Sequence, residues 1–150
     1  MKAEDIGQWM REEHAKVEEL ADRLRERVGV VPRLNLERWL REVRHQFEHF
    51  RAHMVRHMAL EEHNGYMSAV VERRPTLSPQ VDRLNHEHLE LSRLLETIHA
   101  ALGQIGPDDR LLVRDCCRRI GELLNYIEHH ENDENMLVTF VFTQDIGTKD

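Results

Sequence analysis

The sequence predicts an all-α protein, an up-and-down antiparallel four-helix bundle, on three observations. Apolar residues recur at spacings of three and four along four long segments, as on one face of a helix. Turn-forming residues interrupt the chain at three places, which leaves only short connections between neighbouring helices. A chain of 150 residues is long enough for one hydrophobic core, so we expect a single domain over 1–150.

The first two helices are predicted over roughly 4–28 and 35–73. The apolar positions of the first are Ile6, Met10, Val17, Leu20, Leu24 and Val28. Those of the second are Leu36, Leu40, Val43, Phe47, Phe50, Met54 and Met58. The stretch GVVPRLN separates the two helices, because glycine and proline disfavour helix continuation. A break within the second helix is expected near Gly65.

The third and fourth helices are predicted over roughly 79–103 and 107–143, and each begins at a proline suited to the first helical turn, Pro79 or Pro107. The apolar positions of the third are Val81, Leu84, Leu91, Leu94, Leu95, Ile98 and Leu102. Those of the fourth are Leu112, Val113, Cys116, Ile120, Leu123, Leu124, Ile127, Leu137 and Phe140.

The composition disfavours several classes of function. A formal charge of −7 argues against nucleic-acid binding, which needs clustered Lys and Arg. No apolar run approaches the length of about 18 residues that a membrane-spanning helix requires, and no segment resembles a signal peptide. We therefore expect a cytoplasmic protein without a membrane partner. The cysteines, Cys116 and Cys117, are adjacent, and neighbouring residues rarely form a disulfide.

Histidine is over-represented, with 11 in 150 residues, and its pattern repeats in the two halves of the chain. Each half contains one His-x-x-x-Glu pair: His57/Glu61 and His130/Glu134. Another histidine precedes the first pair by 43 residues and the second by 42: His14 and His88. A single pair of this kind is common by chance, but two with matched upstream histidines are not.

This repeat predicts a site for two metal ions in the bundle core. Residues four apart lie one turn apart on the same helix face, so the members of each pair can bind one ion. A carboxylate from each half can bridge two ions. Imidazole and carboxylate together suit iron or manganese. The six predicted ligands are His14, His57, Glu61, His88, His130 and Glu134.

These motifs resemble the hemerythrin family, in its bacterial hemerythrin-like branch of HHE cation-binding domains. The resemblance extends from His14 to the segment FTQDIG. It implies a non-heme centre of two iron ions inside a four-helix bundle, held by the same six residues. It also implies bridging by Glu61 and Glu134, together with an oxo, hydroxo or water bridge.

The sequence departs from the dioxygen-carrying hemerythrins at Leu84, where those proteins have a further histidine one turn before the third-helix ligand. One ion therefore lacks a protein ligand, which disfavours simple reversible dioxygen carriage and leaves an exchangeable position. His53, Tyr126 and Glu18 each lie one turn from a predicted ligand. We expect them to be auxiliary ligands or hydrogen-bonding partners of the centre.

Alternatives remain at two levels. His129 lies five residues before Glu134 and could replace His130, although the repeat favours His130. The site could also hold zinc or no metal. The remaining histidines are expected at the surface: His45, His49, His63, His86 and His99.

The resemblance implies a protein that binds or reacts with dioxygen, nitric oxide or peroxide, or senses them. If it is an enzyme, it is an oxidoreductase at the diiron site. The alternative is an iron-handling or iron-sensing interaction module whose metal occupancy controls its stability and partner binding. The expected partner is a small diatomic gas or peroxide; the sequence does not decide between a homodimer and another protein partner.

Overall fold

The computed structural model describes residues 2–147 and contains an all-α bundle, as the sequence predicts. Its elements are α1 (Ala3–Val28), α2 (Leu36–Glu62), α3 (Tyr66–Arg73), a 3₁₀ turn (Pro75–Leu77), α4 (Ser78–Gln104) and α5 (Arg110–Gly147). Residues 1 and 148–150 of the predicted domain lie outside the described residues. No helix among the described residues combines the length and the apolar character needed to cross a membrane.

The four long helices form an antiparallel square in which α1 and α4 each contact α2 and α5. Arg27, near the end of α1, donates a hydrogen bond to Glu42 near the start of α2. Glu13, in the first half of α1, instead accepts one from His57 near the end of α2. Hydrogen bonds show that α1 is also antiparallel to α5, and that α2 is antiparallel to α4. The short connections predicted from the sequence therefore produce the up-and-down arrangement.

The predicted second helix, 35–73, is divided at the break that the sequence predicts near Gly65. α2 ends at Glu62, and α3 begins at Tyr66 and packs against α2, α4 and α5. Asn64 has a positive φ of 62°, a left-handed conformation that asparagine tolerates better than most residues. A Cβ on Gly65 would lie 2.7 Å from the carbonyl oxygen of Glu61, so this close approach of the backbone requires glycine.

Two apolar clusters fill the bundle. The larger includes Phe47, Phe50, Leu95 and Ile120, from three of the long helices. The smaller joins α3 to the ends of α1, α4 and α5, and includes Ile6, Tyr66, Val70, Leu84 and Val141. On α4, Leu84 belongs to the smaller cluster and Leu91 to the larger, with His88 between them. A buried polar layer therefore separates the two clusters.

Three predicted core positions are exposed instead: Leu94, Leu112 and Phe140. After Glu134, the buried apolar positions described on α5 are Val138, Val141 and Phe142. Phe140 precedes Val141 by one residue, a rotation of about 100° around the helix, so its ring faces outward. There the guanidinium of Arg74 lies 5.7 Å from the ring centroid.

We predict that Gly65→Ala lowers the free energy of unfolding by about 1–3 kcal/mol, as overpacking does elsewhere. The added methyl group would meet the backbone of Leu60 and Glu61, which must shift. Gly121→Ala on α5 is the matched control. Its Cβ would meet nothing within 4 Å, so alanine should stabilise the helix by about 0.5–1 kcal/mol. Urea unfolding measures both variants, and equal effects would contradict the tight turn.

Candidate metal centre

Six buried residues from the four long helices meet in the polar layer. Their ligand-type atoms form two overlapping groups, within each of which all the atoms lie within 4.8 Å of one another. One group is His14, His57, Glu61 and Glu134, and the other is Glu61, His88, His130 and Glu134. The structure thus brings together all six residues that the sequence repeat singled out, with the two glutamates common to both groups.

Glu61 lies between imidazoles of both halves of the chain. Its Oε1 is 3.4 Å from Nε2 of His57 and 3.2 Å from Nε2 of His88. Its Oε2 is 3.7 Å from Nε2 of His14. A carboxylate in this position can reach two neighbouring cations.

Glu134 has the corresponding place on α5. Its Oε1 is 3.5 Å from Nε2 of His14, and its Oε2 is 3.4 Å from Nε2 of His130. Burial would raise the pKa of Glu134, but its contacts with the surrounding imidazoles hold it well below the usual value. The fully buried Tyr66 donates a hydrogen bond of 2.5 Å to Oε2. Burial and the charge of Glu134 raise the pKa of Tyr66 well above its usual range, so the phenol keeps its proton.

Many inward-facing atoms of the layer are buried without a hydrogen bond. They are Nε2 of His14, His57, His88 and His130, both carboxylate oxygens of Glu61 and Oε1 of Glu134. Leaving a buried polar atom unsatisfied costs about 1–3 kcal/mol. A cation bound among them would satisfy these lone pairs together, so the residues fit a metal site.

The opposite nitrogen of each imidazole is hydrogen-bonded. The Nδ1 pairs are His14 with Asn135 at 2.8 Å, His57 with Glu13 at 3.1 Å, His88 with Glu62 at 2.9 Å and His130 with Glu87 at 2.7 Å. An ionised carboxylate only accepts hydrogen bonds, so Nδ1 must carry the proton where its partner is a glutamate. In the neutral imidazole the lone pair of Nε2 then points inward, as a metal ligand requires.

Sequence reasoning missed these four oxygen partners. Each is adjacent in sequence to one of the six residues but binds a histidine on another helix. The signal was present in the repeat, which extends beyond the ligands: Glu-His occurs at 13–14 and again at 87–88. Glu61 and Glu134 are likewise each followed by an oxygen-bearing residue. Comparing the neighbours of each predicted ligand would have found all four.

The structure does not bring Tyr126 or Glu18 to the six residues. Tyr126 is 56% exposed, and Glu18 is also exposed. The tyrosine at the site is Tyr66, on the short helix α3 that follows the break near Gly65. His53 is buried and stacks on His57 with ring centroids 6.5 Å apart. It belongs to neither group of converging atoms.

The other histidines divide as the sequence predicts. His130 is buried in the cluster, and His129 is exposed. His45, His49, His63, His86 and His99 are exposed. Leu84, one turn before His88, is buried in the smaller apolar cluster. Its hydrocarbon side chain has no atom that could bind a metal ion.

Glu131 was not predicted. It is buried, and its Oε1 is 3.8 Å from Nε2 of His14. Burial raises the pKa of Glu131 to about 8, against the opposing charge of His14.

The sequence matches the family described as "Hemerythrin HHE cation binding domain" over residues 5–139. The matched range covers most of the chain and contains all six residues of the cluster. Comparison with curated proteins and with solved structures gives no match. The match agrees with the donor set: buried imidazoles and carboxylates whose free lone pairs could hold a cation.

We predict that Tyr66→Phe lowers the free energy of unfolding of the metal-free protein by about 1.5–3 kcal/mol, the range for hydrogen bonds to charged groups. The variant removes the hydroxyl group that donates to buried Glu134 and keeps the aromatic ring. Tyr126→Phe, which removes an exposed hydroxyl, is the control and should leave stability unchanged. Equal stabilities for the two variants in denaturant titrations would argue against the assigned hydrogen bond.

We also predict that the metal-free protein loses stability as the pH rises from 6.5 to about 10. Burial lowers the pKa of His14 and His88, but contacts with Glu134 and Glu61 outweigh it and raise both to about 10. The folded form therefore binds protons more tightly than the unfolded chain, whose histidines titrate near 6.5. This stabilisation is complete below pH 6.5 and is lost through about pH 10. Melting temperatures that are flat or rising across this interval would contradict the assignment.

Proposed function

This chain belongs to the family of hemerythrin HHE cation-binding domains, and from that premise we propose that it holds two iron ions and binds or reacts with dioxygen, nitric oxide or peroxide, or senses them. The observation that carries the proposal is the set of buried imidazole and carboxylate atoms without hydrogen bonds. Such atoms are unfavourable in an apolar bundle unless they have partners. Two cations would supply those partners to both halves of the layer.

We assign the ligands of each ion from the two overlapping groups. His14 and His57 would hold one ion, His88 and His130 would hold the other, and Glu61 and Glu134 would be available to both. This borderline-to-hard donor set suits iron or manganese better than metals that prefer thiolates. The thiols support the same choice, because Cys116 and Cys117 lie in the larger apolar cluster and not in the polar layer.

Hydrogen bonds from the surrounding residues orient the proposed metal ligands. Glu13, Glu62 and Glu87 accept hydrogen bonds from Nδ1–H of the histidines. These bonds fix the orientation of each imidazole and raise the basicity of Nε2. Tyr66 keeps the proton on its phenol oxygen and donates a hydrogen bond to Glu134, which would orient this carboxylate toward a bound cation. The two apolar clusters exclude bulk water from both sides of the layer. Bound iron supplies the change of redox state and the coordination positions that an exogenous ligand would occupy.

The size of the donor set supports a small ligand. Each ion would receive four protein residues, which leaves positions open. Leu84 adds no donor on the His88 side. A diatomic gas or peroxide suits such a position in a layer enclosed by apolar side chains.

A second candidate is an iron-handling or iron-sensing module whose metal occupancy controls stability and partner binding. One observation favours it: the six residues come from all four long helices, so bound metal would join the whole bundle. A ligand that binds only the folded state stabilises it by about 2.7 kcal/mol at a hundred times its dissociation constant. Loss of iron would then loosen every helix at once.

The test is metal content together with an absorption spectrum of protein loaded with ferrous iron. We predict about two iron ions per chain, from the two groups of ligands, and a diiron charge-transfer spectrum that changes on reduction and on exposure to dioxygen or nitric oxide. Glu87→Ala should weaken iron binding by about 10- to 100-fold, because it frees Nδ1 of His130. Glu90→Ala, on the exposed face of the same helix, is the control.

Two other results would change the conclusion. A spectrum that does not respond to gases or peroxide, with a melting temperature that falls sharply on chelation, favours the sensing module over the first candidate. Zinc alone, or no bound metal after loading, contradicts both.

A further inference from the structure

A cavity of about 160 Å³ lies between α1 and α5, next to the polar layer. Its buried polar lining residues, His14 and Glu131, lie at its inner side. Others are exposed and form its outer side, among them Glu18, Asp22 and Glu128. The cavity thus runs from the surface to one of the proposed ligands.

Glu131 is a carboxylate without an assigned role at the inner side of this cavity. It is 7% exposed, and its Oε1 is buried without a hydrogen bond. That atom is 3.8 Å from Nε2 of His14, yet Glu131 belongs to neither group of converging atoms. It also differs from Glu13, Glu62 and Glu87, each of which accepts an Nδ1 proton. A buried carboxyl oxygen without a hydrogen bond is unfavourable, and a cation that displaces the carboxyl proton would supply the missing partner.

The charges of the lining residues favour a cation over an anion as the ligand that enters the cavity. Four carboxylates line the cavity: Glu18, Asp22, Glu128 and Glu131. At the outer side Arg25 lies 3.3 Å from Asp22 and 3.3 Å from Glu128, so one cationic side chain there faces three carboxylates. The net negative lining concentrates cations at the mouth and repels anions.

The groove on the other side of α5 lacks this combination. It lies between α4 and α5, reaches His130, and is lined in part by Leu91, Leu94 and Tyr126. Its inner carboxylate, Glu87, already accepts the Nδ1 proton of His130 at 2.7 Å. A cation that entered this groove would contact Leu91, Leu94 and Tyr126. The carboxylate of Glu87 there is already hydrogen-bonded to His130.

We propose that divalent metal cations reach the centre through the cavity between α1 and α5, and that Glu131 binds each arriving cation before it passes to His14. This inference rests on the proposed two-ion site and assigns its loading path. The transfer is a ligand exchange with no redox step: Glu131 releases its proton to water as its carboxylate replaces a water on the cation. Nε2 of His14 then releases its proton to water and replaces the Glu131 oxygen.

Stopped-flow mixing of the metal-free protein with Co²⁺, followed by visible absorbance, tests the path. Glu131→Gln keeps the shape of the side chain and removes its ability to ionise and bind a cation. We expect it to slow cation uptake by about tenfold or more, the scale of electrostatic focusing in clefts, while the final number of bound cations is unchanged. Glu90→Gln, the same substitution at the groove between α4 and α5, is the matched control and should load at the wild-type rate.

Arg25→Gln provides a second variant of opposite sign. It removes the cationic side chain from the mouth without touching the six residues, so uptake should become faster. Because the effect is electrostatic, the differences among the variants should shrink as salt is added. If Glu131→Gln does not fold, as judged by circular dichroism, Arg25→Gln and Glu18→Gln decide the question, with faster and slower uptake expected respectively.

The outcomes separate this inference from the proposed function. Wild-type protein that fails to bind cations would overturn the two-ion site itself. Wild-type protein that binds two, with Glu131→Gln loading at the wild-type rate, would overturn the loading path and leave the site intact. A Glu131→Gln variant that loads at normal speed but holds fewer cations would make Glu131 a permanent ligand, which also contradicts the path.

Discussion

The structure depends on one constraint: four imidazoles and two carboxylates share a water-poor layer in the middle of a helical bundle. Apolar clusters enclose this layer on both sides, so its polar atoms must find partners within the layer. Imidazole and carboxylate contacts satisfy the charges only in part, because the inward-facing atoms make no hydrogen bonds. The helix order, the short α3 and the oxygen atoms behind each histidine all serve to hold these six side chains facing inward.

The hydrogen bonds behind the histidines also join the helices. Glu13 and Glu87 each connect helices of the same half of the chain, from α1 to α2 and from α4 to α5. Glu62 and Asn135 instead connect the two halves, from α2 to α4 and from α5 to α1. The four bonds therefore link every neighbouring pair of long helices around the square. Since each partner is adjacent in sequence to a proposed ligand, a small rotation of one helix would disturb two histidines at once.

Much of the fold and the six central residues could be predicted because both depend on spacing along the chain. Helical periodicity identifies the four long helices, and the repeated His-x-x-x-Glu pattern identifies which side chains share a face. What failed depends on contacts between distant elements. The sequence predicts Tyr126 near the site because it lies one helical turn before His130 on the same helix. The structure instead places Tyr66 against Glu134, from a helix that begins after the turn at Gly65. No periodicity predicts that crossing, and none predicts that Glu131 faces His14 on another helix.

The most direct test of the central claim is a crystal of the iron-loaded protein, with anomalous scattering measured at the iron edge. We predict two anomalous peaks within the polar layer, one beside His14 and His57 and the other beside His88 and His130, with Glu61 and Glu134 reaching both. A map with no anomalous peak in the layer, and with these imidazoles turned outward to solvent, would contradict the two-ion centre and every conclusion drawn from it.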